Sequence, residues 1–198
     1  MTIAKTLLEL AGADLSLPRL AEASLVLIDI QNEYLSGPVA LPGADAAIAN
    51  AAKLLVRARN TGARVFHVVH RGRPGGLFDR SATRDGIIPA VAPLADERVI
   101  EKELPNAFAG TDLQARLAAT GRKNIILAGL MTHMRISSTA RAALDLGFRV
   151  TIDADSCATR DLPDGRGGVI AATTVHDVAL VELSDRFALI ARDSAALV

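Results

Sequence analysis

The chain lacks most of the residues that announce a special environment. It has one cysteine, Cys157, in 198 residues, and no tryptophan. A lone thiol excludes an internal disulfide and gives no sign of an oxidising compartment. Neither sign of charge is in excess: 22 basic and 22 acidic side chains leave a formal net charge of zero. With no basic patch and no block of like charge, nucleic acid is not an expected partner. No apolar run approaches the ~20 residues that cross a membrane. The first ten residues, whose one cationic side chain is Lys5, lack a signal-peptide core and cleavage site. A soluble cytoplasmic protein is the expectation. Aromatics are only 3% of the chain, so its core must be aliphatic and rich in alanine.

Half of the residues are hydrophobic, which suits a single domain over 1–198, with an N-terminal segment 1–20 and a core of about 24–192. Five apolar runs stand out: Ser24–Ile30, Arg64–His70, Asn124–Ala128, Phe148–Asp153 and Arg186–Ile190. A weaker one is Arg98–Glu101. Continuous rather than alternating Val, Ile and Leu suggest strands covered on both faces of a parallel sheet. Between them lie helical patterns over Ala44–Asn60, Thr111–Ala119, His133–Leu146 and Gly168–Leu183. Strand–helix alternation predicts an α/β fold with three α/β/α layers, Rossmann-like, around a mostly parallel sheet of about six strands. The glycine- and proline-rich stretch Arg71–Pro93 reads as a long irregular connection, the kind that often covers a site.

Ligands of open parallel sheets bind beyond the carboxyl ends of the strands. Asp29 interrupts the first strand at such an end. Among Leu27, Ile28 and Ile30 its carboxyl group should be partly desolvated, as a general acid or base requires, although an Asp can equally cap the following loop. Lys102, in Glu101-Lys102-Glu103, looks locally like a solvated lysine. His67 and His70 are three apart on a strand and point to opposite faces, so no metal or cofactor is expected. Cys157 reads as a small buried filler. Arg135 is the anomaly. A cation in the first turn of a helix opposes the helix dipole at a cost of roughly 0.3–1 kcal/mol, which a carboxylate or an anionic ligand must offset.

These pieces come together in four motifs. They are Leu27-Ile28-Asp29-Ile30-Gln31-Asn32-Glu33-Tyr34, the stretch from Glu101 to Leu113, Ala128-Gly129-Leu130-Met131-Thr132-His133-Met134-Arg135, and the stretch from Asp153 to Asp161. In this order the chain resembles the isochorismatase-like hydrolase (cysteine hydrolase) superfamily from about Ser24 to about Arg192. The resemblance implies Asp29 as proton-transfer group, Lys102 as its cationic partner and position 135 as the nucleophile position. It further implies a substrate pocket using Gln31, Tyr34, Phe108, Leu130, Met131 and Thr132. A non-proline cis peptide would map to Leu130-Met131, and an oxyanion hole to backbone N–H groups near Met131 and residue 135. No cofactor is implied, and a homodimer or homotetramer is.

The decisive position departs from the pattern. Where the family carries its cysteine this chain has Arg135, and Cys157 lies 22 residues further on, beyond another expected strand. Thioester chemistry is therefore unsupported. Three readings remain open: a cysteine-independent hydrolase of the isochorismatase kind, in which Arg135 grips a substrate carboxylate; a non-catalytic relative in which Arg135 pairs with Asp29; and an amidase disabled by a Cys-to-Arg change. Replacing a thiolate by a guanidinium makes the site net positive, so a small carboxylate-bearing ligand is expected. The loop arginines Arg71, Arg73, Arg80 and Arg84 are further candidates for anion contacts.

Overall fold

The computed structural model describes residues 3–197. Six strands form one sheet: β1 (Ala23–Ile28), β2 (Arg64–His70), β3 (Arg98–Lys102), β4 (Asn124–Leu130), β5 (Arg149–Ala158) and, last in the chain, β8 (Leu189–Ala191). Their spatial order is β3-β2-β1-β4-β5-β8. Every neighbouring pair is parallel. The expected α/β architecture is the observed one.

Both faces of the sheet are covered, which explains the unbroken apolar runs. In β1, Leu25 and Leu27 join a core with the helix α3 (Ala44–Asn60). The intervening Val26 and Ile28 join the opposite core with α4 (Leu113–Ala119), α5 (Ser137–Asp145) and α6 (Ala172–Arg186). The apolar face of α3 is Ala47, Ile48, Ala51, Leu54, Leu55 and Ala58, at the three- and four-residue spacing of one helix side. Two further helices are single turns, α1 (Leu7–Leu10) and α2 (Glu33–Ser36). Among the described residues no helix is long and apolar enough to cross a membrane.

Several boundaries differ from expectation, each for a local reason. The fourth helix pattern begins at Ala172, not Gly168, because Val169–Ile170 (β7) pairs with Leu162–Pro163 (β6) in a small antiparallel hairpin. The last strand starts at Leu189, since α6 runs on through Arg186. The first residues of the Thr111 pattern form a turn in which Leu113 N–H donates to Thr111 Oγ1 at 3.3 Å, and α4 starts after it. Strand β5 runs on to Ala158, so Cys157 lies within it and pairs with Gly129 rather than following the strand.

Gly129 fixes how closely β1 and β4 meet at the functional end of the sheet. A Cβ there would come within 2.0 Å of the Ile28 carbonyl oxygen, and its φ of +137° is open to glycine.

Candidate active site

Asp29 follows the last residue of β1 and adopts a left-handed φ of 53°. Its N–H is held by the Val68 carbonyl at 2.8 Å. Lys102 closes β3, two strands away in the sheet, roughly 10 Å at the usual strand spacing. A lysine stem bridges that gap, and Lys102 Nζ donates to Asp29 Oδ2 at 2.6 Å with both side chains fully buried. The locally exposed-looking lysine is thus the buried partner of Asp29.

Arg135 arrives from the other side of β1, on the turn after β4. That turn is one loop of π-helix, Thr132–Ile136, entered through a cis Leu130–Met131 peptide. The N–H groups of Met134, Arg135 and Ile136 converge on the Met131 carbonyl at 3.3, 3.0 and 3.3 Å. The Arg135 N–H is engaged within the turn. The wide turn delivers the guanidinium to Asp29, where Nε makes an ion-pair contact with the same Oδ2 that Lys102 holds. Asp29 is the carboxylate that offsets the cation at the helix start.

The guanidinium is buried, with 7% of Arg135 exposed. Its central carbon lies 5.7 Å from the centre of the Tyr34 ring and 5.4 Å from that of Phe78. Its other polar contact is a long one, from Nη1 to the Met134 sulfur at 3.4 Å. Burial pushes the Asp29 carboxyl up, opposed by the charges of Lys102 and Arg135. Burial likewise pushes the Lys102 ammonium down, opposed by Asp29. The Tyr34 hydroxyl is pushed up, again by burial. Five buried polar atoms in this cluster lack a hydrogen-bond partner among the described residues: Asp29 Oδ1, Tyr34 Oη, Glu33 Oε1, His70 Nδ1 and Arg135 Nε, whose contact with Asp29 is ionic.

The remaining expected pocket residues divide. Tyr34 touches the cluster directly. Leu130 and Met131 are buried in the core that includes α3. Thr132 Oγ1 is bonded to His176 Nδ1 at 2.8 Å. The Gln31 amide joins two segments: Nε2 donates to the carbonyls of His70 and Asp85, at 3.1 and 2.8 Å, and Oε1 accepts from His70 N–H at 2.8 Å. Phe108 stacks on Phe148 with ring centres 6.0 Å apart. Three of the loop arginines face carboxylates: Arg71 faces Glu101 at 3.8 Å, Arg80 faces Asp85 at 3.4 Å, and Arg84 faces Glu33 at 3.4 Å. Arg73 is exposed. Cys157 is fully buried, and burial pushes its thiol up, so it supplies no thiolate.

Sequence reasoning did not place Phe78, Glu33 or His70 in the site. Phe78 is the one aromatic residue in Arg71–Pro93, a signal that was available. It packs edge-on against Tyr34 at 5.2 Å and against His70 at 5.1 Å. Burial, Lys102 and Arg135 together push the His70 imidazole down to about 4, so it is neutral at pH 7.

Comparison with known proteins agrees with this geometry. The isochorismatase domain family matches residues 23–192. The isochorismatase family protein YddQ of Bacillus subtilis is 38% identical over 170 residues, covering 84% of this chain and 94% of that protein. The secreted isochorismatase effector Isc1 of Verticillium dahliae is 36% identical over 167 residues, covering 84% and 85%. The crystal structure of an isochorismatase from Pseudomonas putida superposes with a TM-score of 0.95 at 42% identity, covering 99% of this chain and all of that one. The chain belongs to the isochorismatase family of hydrolase folds.

Proposed function

We propose that this chain is a family member without thiol chemistry, whose Asp29–Lys102–Arg135 cluster holds a small carboxylate-bearing molecule. The observation that carries this reading is the Arg135 guanidinium itself. It stands where the family resemblance implies the nucleophile, in ionic contact with Asp29 and beside Lys102. Two cations against one carboxylate leave a buried excess of positive charge, which is costly until an anion neutralises it. A guanidinium has five N–H donors in a planar fork suited to a carboxylate. Beyond the Asp29 contact, Arg135 donates, among the described residues, only to a sulfur. In this reading Asp29 serves as counter-ion to the two cations on its Oδ2 rather than as a proton carrier.

Calorimetric titration with benzoate and its neutral counterpart benzamide tests this. Benzoate should bind and benzamide should not. Arg135→Ala should weaken benzoate about tenfold to a hundredfold, the worth of one charge-assisted hydrogen-bonded contact. Equal affinity in the variant, or no binding of any small carboxylate by the parent, refutes the reading.

One observation favours a second reading. The Asp29–Lys102 contact at 2.6 Å is intact. A disabled amidase would keep that pair, and Arg135→Cys would then regain amide hydrolysis.

A further inference from the structure

We propose that Tyr34, Phe78 and Asp29 form a receptor for a planar cation, which the chain fills with its own Arg135. The inference stands apart from carboxylate binding, since it concerns how the guanidinium is gripped rather than what it grips.

The structural arginines of this chain show the contrast. Arg57 donates to the carbonyls of Ser194, at 2.6 Å, and Leu197. Arg122 donates to the carbonyls of Ala23 and Gly62, at 2.7 and 3.1 Å. Each ties segments together through backbone oxygens, the usual way a partly buried arginine is satisfied. Among the described residues Arg135 has no such bond. It is held by two aromatic rings and a carboxylate, the elements by which a binding site takes a guanidinium ligand. Both rings are within the ~6 Å at which a cation–π contact acts. Tyr34 is 0% and Phe78 2% exposed, so the contact is desolvated and strong.

The wall is deliberately built. Phe78 holds φ at 57°, a region that a bulky residue seldom occupies, and such strain concentrates at binding sites. Its backbone is clamped on both sides: its N–H donates to the buried Glu33 Oε2 at 3.3 Å, and its carbonyl accepts from Gly72 at 2.9 Å. The box thus offers two π faces and the Asp29 carboxylate, with Lys102 closing the far side of Asp29. A flat, compact cation such as guanidinium or amidinium fits that chemistry. A neutral molecule of the same shape does not.

The test uses the full chain with methylguanidinium and its neutral isostere methylurea. In Arg135→Ala, millimolar methylguanidinium should raise the melting temperature and bind at least about tenfold tighter than to the parent, whose box is already filled. Methylurea should do neither. Equal binding to parent and variant, or methylurea matching methylguanidinium, overturns the proposal. Should Arg135→Ala fail to fold, NMR of the parent decides. The Arg135 Nε–H proton should be shifted upfield by the two rings, and the shift should collapse in Phe78→Leu. An ordinary arginine resonance unmoved by that substitution also overturns it.

Discussion

Two buried aspartates sit in the same sheet and meet different fates. Asp29 follows β1, and Asp153 lies in β5; each is 0% exposed. Both carboxyl groups are pushed up by burial, but the opposing groups differ. Around Asp29 they are the charges of Lys102 and Arg135; around Asp153 they are first the hydroxyls of Ser156 and Ser194, with the charge of Arg57 a smaller influence. Ser194 Oγ reaches Asp153 Oδ1 at 2.9 Å and Oδ2 at 2.8 Å, and Ser156 Oγ also contacts Oδ2. Both oxygens of Asp153 are thereby satisfied, and the bond to Ser194 pins residues 194–197 to the sheet. Asp29 keeps an unpartnered Oδ1 and carries two cations on the other oxygen. Neutral donors complete a structural joint. Charged donors leave residual charge and orphaned atoms, which is the condition of a binding site.

The largest test of this contrast is Asp29→Ala. Removing the carboxylate that both cations share should lower unfolding stability by about 3–5 kcal/mol, because buried charge is left uncompensated. Chemical denaturation measures it. Asp153→Ala should cost less, about 1–3 kcal/mol, since it strands hydroxyls rather than charges. Its signature is faster hydrogen exchange over residues 194–197, a region that Asp29→Ala should leave protected. A loss at Asp153 as large as that at Asp29 would erase the distinction.

Smaller effects are read from pH dependence. A carboxyl raised by burial stays protonated in the folded state above the unfolded value of 3.8, so the folded state binds more protons there. Asp153 thus contributes stability that is lost as pH rises through its raised folded value. Asp153→Asn should flatten that decline in a comparison of melting curves between pH 4 and 7. His70 runs the other way. With a folded value near 4 and an unfolded one of 6.5, it binds fewer protons when folded, so stability should fall as pH drops from 6.5 towards 4. His70→Gln should remove part of that fall.

The sequence carried the sheet well because β1, β2 and β4 are packed on both faces and read as unbroken apolar runs. It carried β5 less well: Asp153, Asp155 and Ser156 interrupt the pattern, although tertiary partners hold them within the strand. The oddity of Arg135 was legible from helix electrostatics alone. What it contacts was not, because Asp29 and Phe78 reach it only through the sheet order and a loop fold. Gln31 shows the same limit. Its amide partners are 39 and 54 residues away, and no local feature reveals that the side chain is spent on them.

The central claim is that Arg135 has replaced thiol chemistry and withdrawn Asp29 from proton transfer. A turnover assay tests it most directly, with the parent presented with an aliphatic amide, an ester and a vinyl ether, beside Asp29→Asn. The account predicts no hydrolysis by either protein above the uncatalysed rate. Hydrolysis of any of the three by the parent, abolished by Asp29→Asn, would contradict it.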